Sequence, residues 1–250
     1  MNNPASFLYP EWPAPPNIRA LSTFRAGGVS KSPFNSLNLA AHVGDNLDSV
    51  VQNRAIISRD LGLPTEPIWL EQIHSDRAIE AIYRPLPEQA DASYTSKTGV
   101  VCAVLTADCL PLLICSKDGL QVAAVHAGWK GLLAGVVTNT IKALQKASSQ
   151  NSGYMVWLGP AIGPKCFEVG AEVHEAFVRK HLRNESAFIQ VSKDKWLADI
   201  YHLARIELTE MRITDVYSSS ACTFTENELY YSYRRDGQTG RMASLIWRES

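Results

Sequence analysis

The chain has 250 residues, 46% of them hydrophobic, which is enough for one large domain with a substantial core. Lys and Arg total 24 against 25 Asp and Glu, and the net charge of -1 offers no global footprint for nucleic acid or an anionic membrane surface. Any anion site must therefore be local.

The first twenty residues, "MNNPASFLYPEWPAPPNIRA", carry five prolines and neither a basic nor an apolar signal region, so residues 1–18 read as an irregular lead-in to a single domain spanning 1–250. No run approaches the roughly 18 apolar residues of a membrane span. Five cysteines without paired spacing argue against a disulfide framework and for reduced thiols in the cytoplasm. Residues 23–46, "TFRAGGVSKSPFNSLNLAAHVGDN", have the Gly, Ser and Asn density of an ordered loop, and a loop of that length usually carries function. Residues 47–61 place Val50, Ile57 and Leu61 near one helical stripe, with Asp48 as N-cap and Gly62-Leu63-Pro64 as the stop.

Three short apolar runs follow, each ending on a residue able to bind metal. "PIWLEQIH" leads to His74, "VVCAVLTADC" to Cys109 and "LQVAAVH" to His126. On a strand, Gln72 shares the face of His74 and Glu71 takes the opposite one. Residues 100–126 read as strand, corner, strand, turn, strand, with Lys117-Asp118-Gly119 as the turn. "GLLAGVVTNTIKALQKA" then repeats Leu132, Val136, Thr140 and Leu144, flanked by Leu133, Val137 and Ile141, as an amphipathic helix packed on a sheet. Taken singly, His126 and Cys109 fit satisfied core positions and His74 a surface turn. Taken together, three converging strand ends supply the two imidazoles and one thiolate of an open catalytic zinc site. No C-x-x-C or H-E-x-x-H motif decides between these readings.

"EQIHSD" at His74, "LTADCLPLLI" at Cys109 and "AAVHAGWKGL" at His126 resemble the three signatures of the YfiH-like family, also called the laccase-domain or peptidoglycan editing factor family. "TFRAGGVS", "SLNLAAHVGDN", Asn53-Arg54, "LGPAIGPKCFEVG" and "CTFTENELYYSYRRDGQTGRMASLIW" match in the family's order, so the resemblance covers nearly the whole chain. It implies an α/β layered sandwich of mixed β-sheets flanked by helices, with zinc held by His74, Cys109 and His126. The activities ascribed within the family are phosphorolysis of purine nucleosides (inosine, adenosine, methylthioadenosine), adenosine deamination, polyphenol oxidation and removal of a wrongly added amino acid from a cell-wall precursor. Fold alone does not choose among them.

Chemistry ranks these activities. Several coppers need many histidines, commonly as H-x-H pairs, whereas this chain has six histidines and no such pair. Copper can still displace zinc from a His/His/Cys set, because it lies higher in the affinity order. One open zinc lowers the pKa of its water to about 7, which suits hydrolytic deamination of a purine. Asp108, beside Cys109, is the nearest proton shuttle by sequence, and a turn-capping carboxylate is the equal alternative. Phosphorolysis also needs a phosphate site, for which Arg25 leads, with Arg234, Arg235 and Arg241 behind it. Asn38, Arg54 and Gln72 join the substrate-binding set, the first two on the strength of the resemblance. Tyr230, Tyr231 and Tyr233 read as a strand core able to present a ring to a base. The expected ligands are a purine nucleoside and phosphate, with neither nucleic acid nor membrane as partner, and the chain is expected to be a monomer or homodimer. A metal-free cysteine hydrolase, with Cys109 activated by His126, stands as the alternative class. A non-enzymatic scaffold would not need such residues.

Overall fold

A computed structural model describes residues 7–148 and 152–250, so residues 1–6 of the lead-in lie outside the described residues. A four-stranded sheet runs in the order β1 (Phe7–Leu8), β2 (Ile18–Thr23), β13 (Met242–Arg248), β5 (Cys102–Thr106). The lead-in is thus not wholly irregular, since Phe7 and Leu8 pair with Thr23 and Ser22.

A six-stranded sheet follows the order β12 (Asp215–Ser218), β8 (Tyr154–Leu158), β6 (Leu110–Ser116), β7 (Val122–Ala127), β4 (Ala92–Thr95), β3 (Ala78–Glu80). A small antiparallel sheet joins β10 (Phe188–Ser192), β11 (Lys195–Ala198) and β9 (Glu168–Gly170).

Alternation along the buried strands stacks these sheets in layers. Leu112, Ile114, Val125 and Val156 face the helices α2 (Trp129–Ala134), α3 (Val136–Ala147), α4 (Ala171–Lys180) and α5 (Ile200–Glu210). Leu113, Cys115, Ala124 and Trp157, on the opposite face, pack against Ala20, Cys102, Val104 and Ile246 of the four-stranded sheet. The far face of that sheet, with Leu21, Ala103, Leu105 and Leu245, is closed by Leu37 and Leu39 of the long loop and Ile57 of α1 (Leu47–Leu61). The result is the expected layered sandwich of mixed sheets between helices.

The strand, corner, strand, turn, strand reading of 100–126 holds as β5, β6 and β7. Its corner does more than expected, because Ala107–Cys109 carries the chain from the four-stranded sheet into the six-stranded one. Three local expectations differ from the structure. The N-cap of α1 is Asn46, whose side chain accepts from Ser49 N, and Asp48 lies inside the first turn. The single helix expected over 131–147 breaks at Gly135, which takes φ 99, a conformation glycine reaches without the steric cost other residues meet. "PIWLEQIH" forms no regular strand and makes only bridges from Ile68 to Cys102 and Glu71 to Gln89.

Candidate metal centre

The three ligand candidates come from three kinds of local structure. His126 sits within β7, Cys109 ends the corner between the two sheets, and His74 occupies an exposed loop with φ 59. Their ligand atoms nevertheless all lie within 4.8 Å of one another. His74 Nε2 is 3.8 Å from Cys109 Sγ, and the two imidazoles meet edge to face at 4.8 Å between centroids.

Asp91, just before β4, holds this arrangement together, and the sequence analysis did not single it out. Its fully buried carboxylate bonds His126 Nδ1 at 2.7 Å. It also accepts from the backbone N–H of His74 at 3.0 Å and of Ser75 at 2.6 Å, and from the Ser75 hydroxyl at 2.7 Å. With Nδ1 engaged, His126 is left with Nε2 as its free ligand nitrogen, the usual outer-shell device of metal-binding histidines. Burial works to raise the Asp91 carboxyl, but the bonds from His126 and Ser75 and the His126 charge outweigh it and bring its pKa to about 2.

Burial likewise pushes the Cys109 thiol up, yet the His126 charge and the hydrogen bonds from both histidines hold it below the ordinary thiol range. His126 moves the other way, raised by the Cys109 thiolate and Asp91 against the desolvation that lowers it. The two histidines thus favour the thiolate at Cys109, which is the ligand form of cysteine.

Glycine spacing after His126 has a steric cause. A Cβ on Gly128 would lie 2.7 Å from His74 Cδ2 and 2.9 Å from Cys109 Sγ. One on Gly131 would lie 2.9 Å from the carbonyl oxygen of Ser75. Both glycines let the His74 loop close over the start of α2. The residues present thus fit a single ion: two imidazoles, a thiolate, a carboxylate orienting one ring, and a wall without side chains beside them.

A cavity of about 340 Å³ opens next to the triad, lined in part by Asp108, Trp129, Phe167, Tyr233 and Arg234. Asp108 has φ 89, and its carboxylate accepts from Thr223 Oγ1 and from the backbone N–H of Arg234, both at 2.7 Å. It is therefore a turn-capping group that also borders the cavity. Arg234 lies over Phe167 and donates Nη1 to Glu168 O at 2.8 Å. Tyr233 reaches this cavity from the short helix α6 (Tyr233–Asp236), whereas Tyr230 and Tyr231 are buried. None of the three lies in a strand, which corrects the strand-core expectation.

The other expected substrate residues stand away from the cavity lining. Arg25 donates to the carbonyls of Asn35 and Asn227 and lies over Tyr231. Asn38 is fully buried, giving its amide hydrogens to Ala40 O and Asp45 and accepting from Ala40 N and Arg241 N. Arg54 clamps Leu39 O and stacks on Trp69. Gln72 bonds both the N–H and the carbonyl of Leu105 on β5, so it fastens the His74 loop to the four-stranded sheet. Of the cysteines, Cys102 and Cys115 are driven up to about 12 by burial, whereas Cys109 alone is depressed by two histidines.

An α/β sandwich whose described residues bring one His/Cys/His cluster able to hold a metal to the seam between two sheets defines the class of protein. The chain belongs to the family described as multi-copper polyphenol oxidoreductase laccase, which its residues 19–249 match. It is 48% identical over 244 residues, covering 97% of this chain and 99% of the relative, to purine nucleoside phosphorylase YfiH of Escherichia coli (strain K12). Purine nucleoside phosphorylase PA4543 of Pseudomonas aeruginosa is 46% identical, covering 97% and 98%. The crystal structure of Neisseria meningitidis protein NMB0706 superposes with a TM-score of 0.91 at 45% identity, over 98% of this chain and 99% of that one. That of YlmD from Geobacillus stearothermophilus gives 0.87 at 29%, over 94% and 93%. No helix among the described residues is long and apolar enough to cross a membrane.

Two outcomes follow from the site. Gly128→Ala is expected to keep the fold by circular dichroism but to weaken metal affinity by about tenfold or more in chelator competition, since its methyl displaces His74 and Cys109; unchanged affinity would refute the steric role. The depressed Asp91 carboxyl contributes stability above its unfolded value of 3.8, and that contribution disappears as pH falls through about 2. The stability difference between metal-free wild type and Asp91→Asn, measured by urea unfolding, should therefore shrink between these two pH values; a constant difference would contradict the assignment.

Proposed function

We propose that the protein is a zinc-dependent purine nucleoside phosphorylase that also deaminates adenosine. The observation that carries this reading is a single open His74, Cys109, His126 set beside a cavity with aromatic walls, and the names of close, full-length relatives support it. Zinc, held by these three side chains, supplies Lewis-acid chemistry next to the cavity, and copper is a competent substitute in the same donor set.

The chain's own residues perform the rest. Trp129, Phe167 and Tyr233 offer ring faces to a purine, and the cavity volume suits a nucleoside. Arg234 borders the same space and orients the ribose end. Asp108 holds the proton exchanged with the purine nitrogen, its carboxylate retaining free lone pairs beyond the two bonds it accepts. A phosphate oxygen attacks the ribose C1′, the C1′–N9 bond breaks with its electron pair staying on the base, and the proton of hydrogen phosphate ends on the released purine. Arg25, Asn38 and Gln72 serve by holding the loops that wall the site, and Arg54 by charge. The depressed Cys109 thiol also favours a second reading, a metal-free cysteine hydrolase acting on an amide such as one in a cell-wall precursor.

Zinc-loaded protein given inosine is expected to release hypoxanthine only when phosphate is present, together with an equal amount of ribose 1-phosphate, followed by chromatography. Adenosine should yield some inosine in parallel. Absence of phosphate-dependent hypoxanthine from fully zinc-loaded protein would overturn the phosphorylase reading, and full activity without metal would transfer the role to the Cys109 nucleophile.

A further inference from the structure

A second cavity, of about 330 Å³, is walled chiefly by residues 163–166 and 218–222. Two cysteines that the proposed chemistry leaves unused, Cys166 and Cys222, both line it as half-buried free thiols. Hydrogen bonds pin their two segments side by side. Thr223 N–H donates to Ala161 O at 3.0 Å, Gly163 N–H to Cys222 Sγ at 3.2 Å, and Cys166 N–H closes a turn onto Gly163 O at 3.0 Å. A Cβ on Gly163 would lie 3.0 Å from Cys222 Sγ, so a glycine is what lets this turn seat against the sulfur. The Cys166 thiol completes the contact by hydrogen-bonding to Cys222.

The two thiols are not equivalent. Burial works to raise Cys222, but the Thr225 hydroxyl and the backbone N–H groups of Thr225, Gly163 and Phe224 outweigh it and hold the thiol below its ordinary value. Cys166 moves up, through burial and through the charge and hydrogen bond of Cys222. A thiolate-prone sulfur touching a protonated, accessible partner is the arrangement of an attacking and a resolving thiol. Cys102 and Cys115, both fully buried, have no such access.

The pair also adjoins the catalytic side of the molecule. Ile162 and Phe167, which flank 163–166, line the metal-side cavity. Ile162 N–H donates to Asp108 O at 3.0 Å, and Thr223, next to Cys222, donates its hydroxyl to the Asp108 carboxylate at 2.7 Å.

We propose that Cys166 and Cys222 form a reversible dithiol–disulfide pair that exchanges with low-molecular-weight disulfides admitted by this second cavity, and that closing the bond is felt at Asp108 and the metal-side cavity. The Cys222 thiolate attacks one sulfur of the small disulfide, whose S–S bond breaks and releases one small thiol that takes up the Cys222 proton. The Cys166 sulfur then attacks Cys222, expels the second small thiol with the Cys166 proton and leaves the intramolecular disulfide. Two electrons pass from the protein thiols to the small disulfide, and excess small thiol reverses both steps.

The test equilibrates the zinc-loaded full chain with glutathione disulfide, then alkylates it and digests it with trypsin without reductant. A link between peptides 166–179 and 213–234 is expected, with loss of two of the five thiols in denaturant and recovery of both on adding excess glutathione. Cys166→Ser should instead retain one glutathione on Cys222, whereas Cys222→Ser should leave Cys166 unmodified. Unchanged zinc content shows that Cys109 is not the thiol consumed. Absence of the 166–179 to 213–234 link, or a link that excess glutathione does not reverse, overturns the pair. Exchange of the Arg234 N–H, which Asp108 holds, should change several-fold on oxidation of the wild type and not in Cys222→Ser treated alike. A link that forms while this exchange stays the same overturns the coupling. Neither measurement uses a nucleoside, so both stand or fall apart from the phosphorylase reading.

Discussion

The structure depends on a buried carboxylate that does not touch the metal position. Asp91 takes the His126 ring nitrogen, two successive backbone N–H groups of the 74–75 loop and the Ser75 hydroxyl, and its own carbonyl accepts the N–H of His126 at 2.7 Å. An isolated carboxylate at full burial would be strongly unfavourable, and only this set of bonds makes it tolerable. The same set fixes where His74 and His126 point. Removing any of the partners therefore affects folding and the metal position together, because one group serves both.

The sheets explain why the site lies where it does. The corner Ala107–Cys109 is the passage between two layers, so the thiol emerges at a seam where neither sheet continues. Trp129 and Lys130 at the start of α2 close one side of the cavity and Phe167 and Tyr233 another, while Gln72 ties the His74 loop to β5. Among the described residues one cluster, His74, Cys109 and His126, could hold a metal ion in this member of the laccase-described family.

Much of this was legible in the sequence, for reasons that differ by element. The run 100–126 was readable because strands buried on both faces are almost unbroken apolar stretches, and Lys117-Asp118-Gly119 punctuates them. His126 and Cys109 stood out as the polar or reactive ends of such runs. "PIWLEQIH" misled because its apolar spacing imitates a strand, whereas its backbone is held by Gln72 and by Asp91, contacts that leave no periodic trace. Asp91 itself lies 35 residues from His126 and 17 from His74, and its only local signal is a lone acid among the small residues of "QADAS". Gly135 broke a helix whose stripe continues on both sides, since the stripe reports burial and not backbone continuity.

The central claim, that the Asp91 carboxylate sets the geometry of the His74, Cys109, His126 centre, is tested most directly by the zinc affinity of Asp91→Asn in chelator competition. The amide is isosteric but offers a single acceptor oxygen where the carboxylate uses two, one for His126 and His74 and the other for Ser75, and it carries no charge to hold His126. Affinity lower by about tenfold to a hundredfold, with secondary structure retained, is the result this account predicts. An Asp91→Asn protein that binds zinc as tightly as the wild type would contradict it.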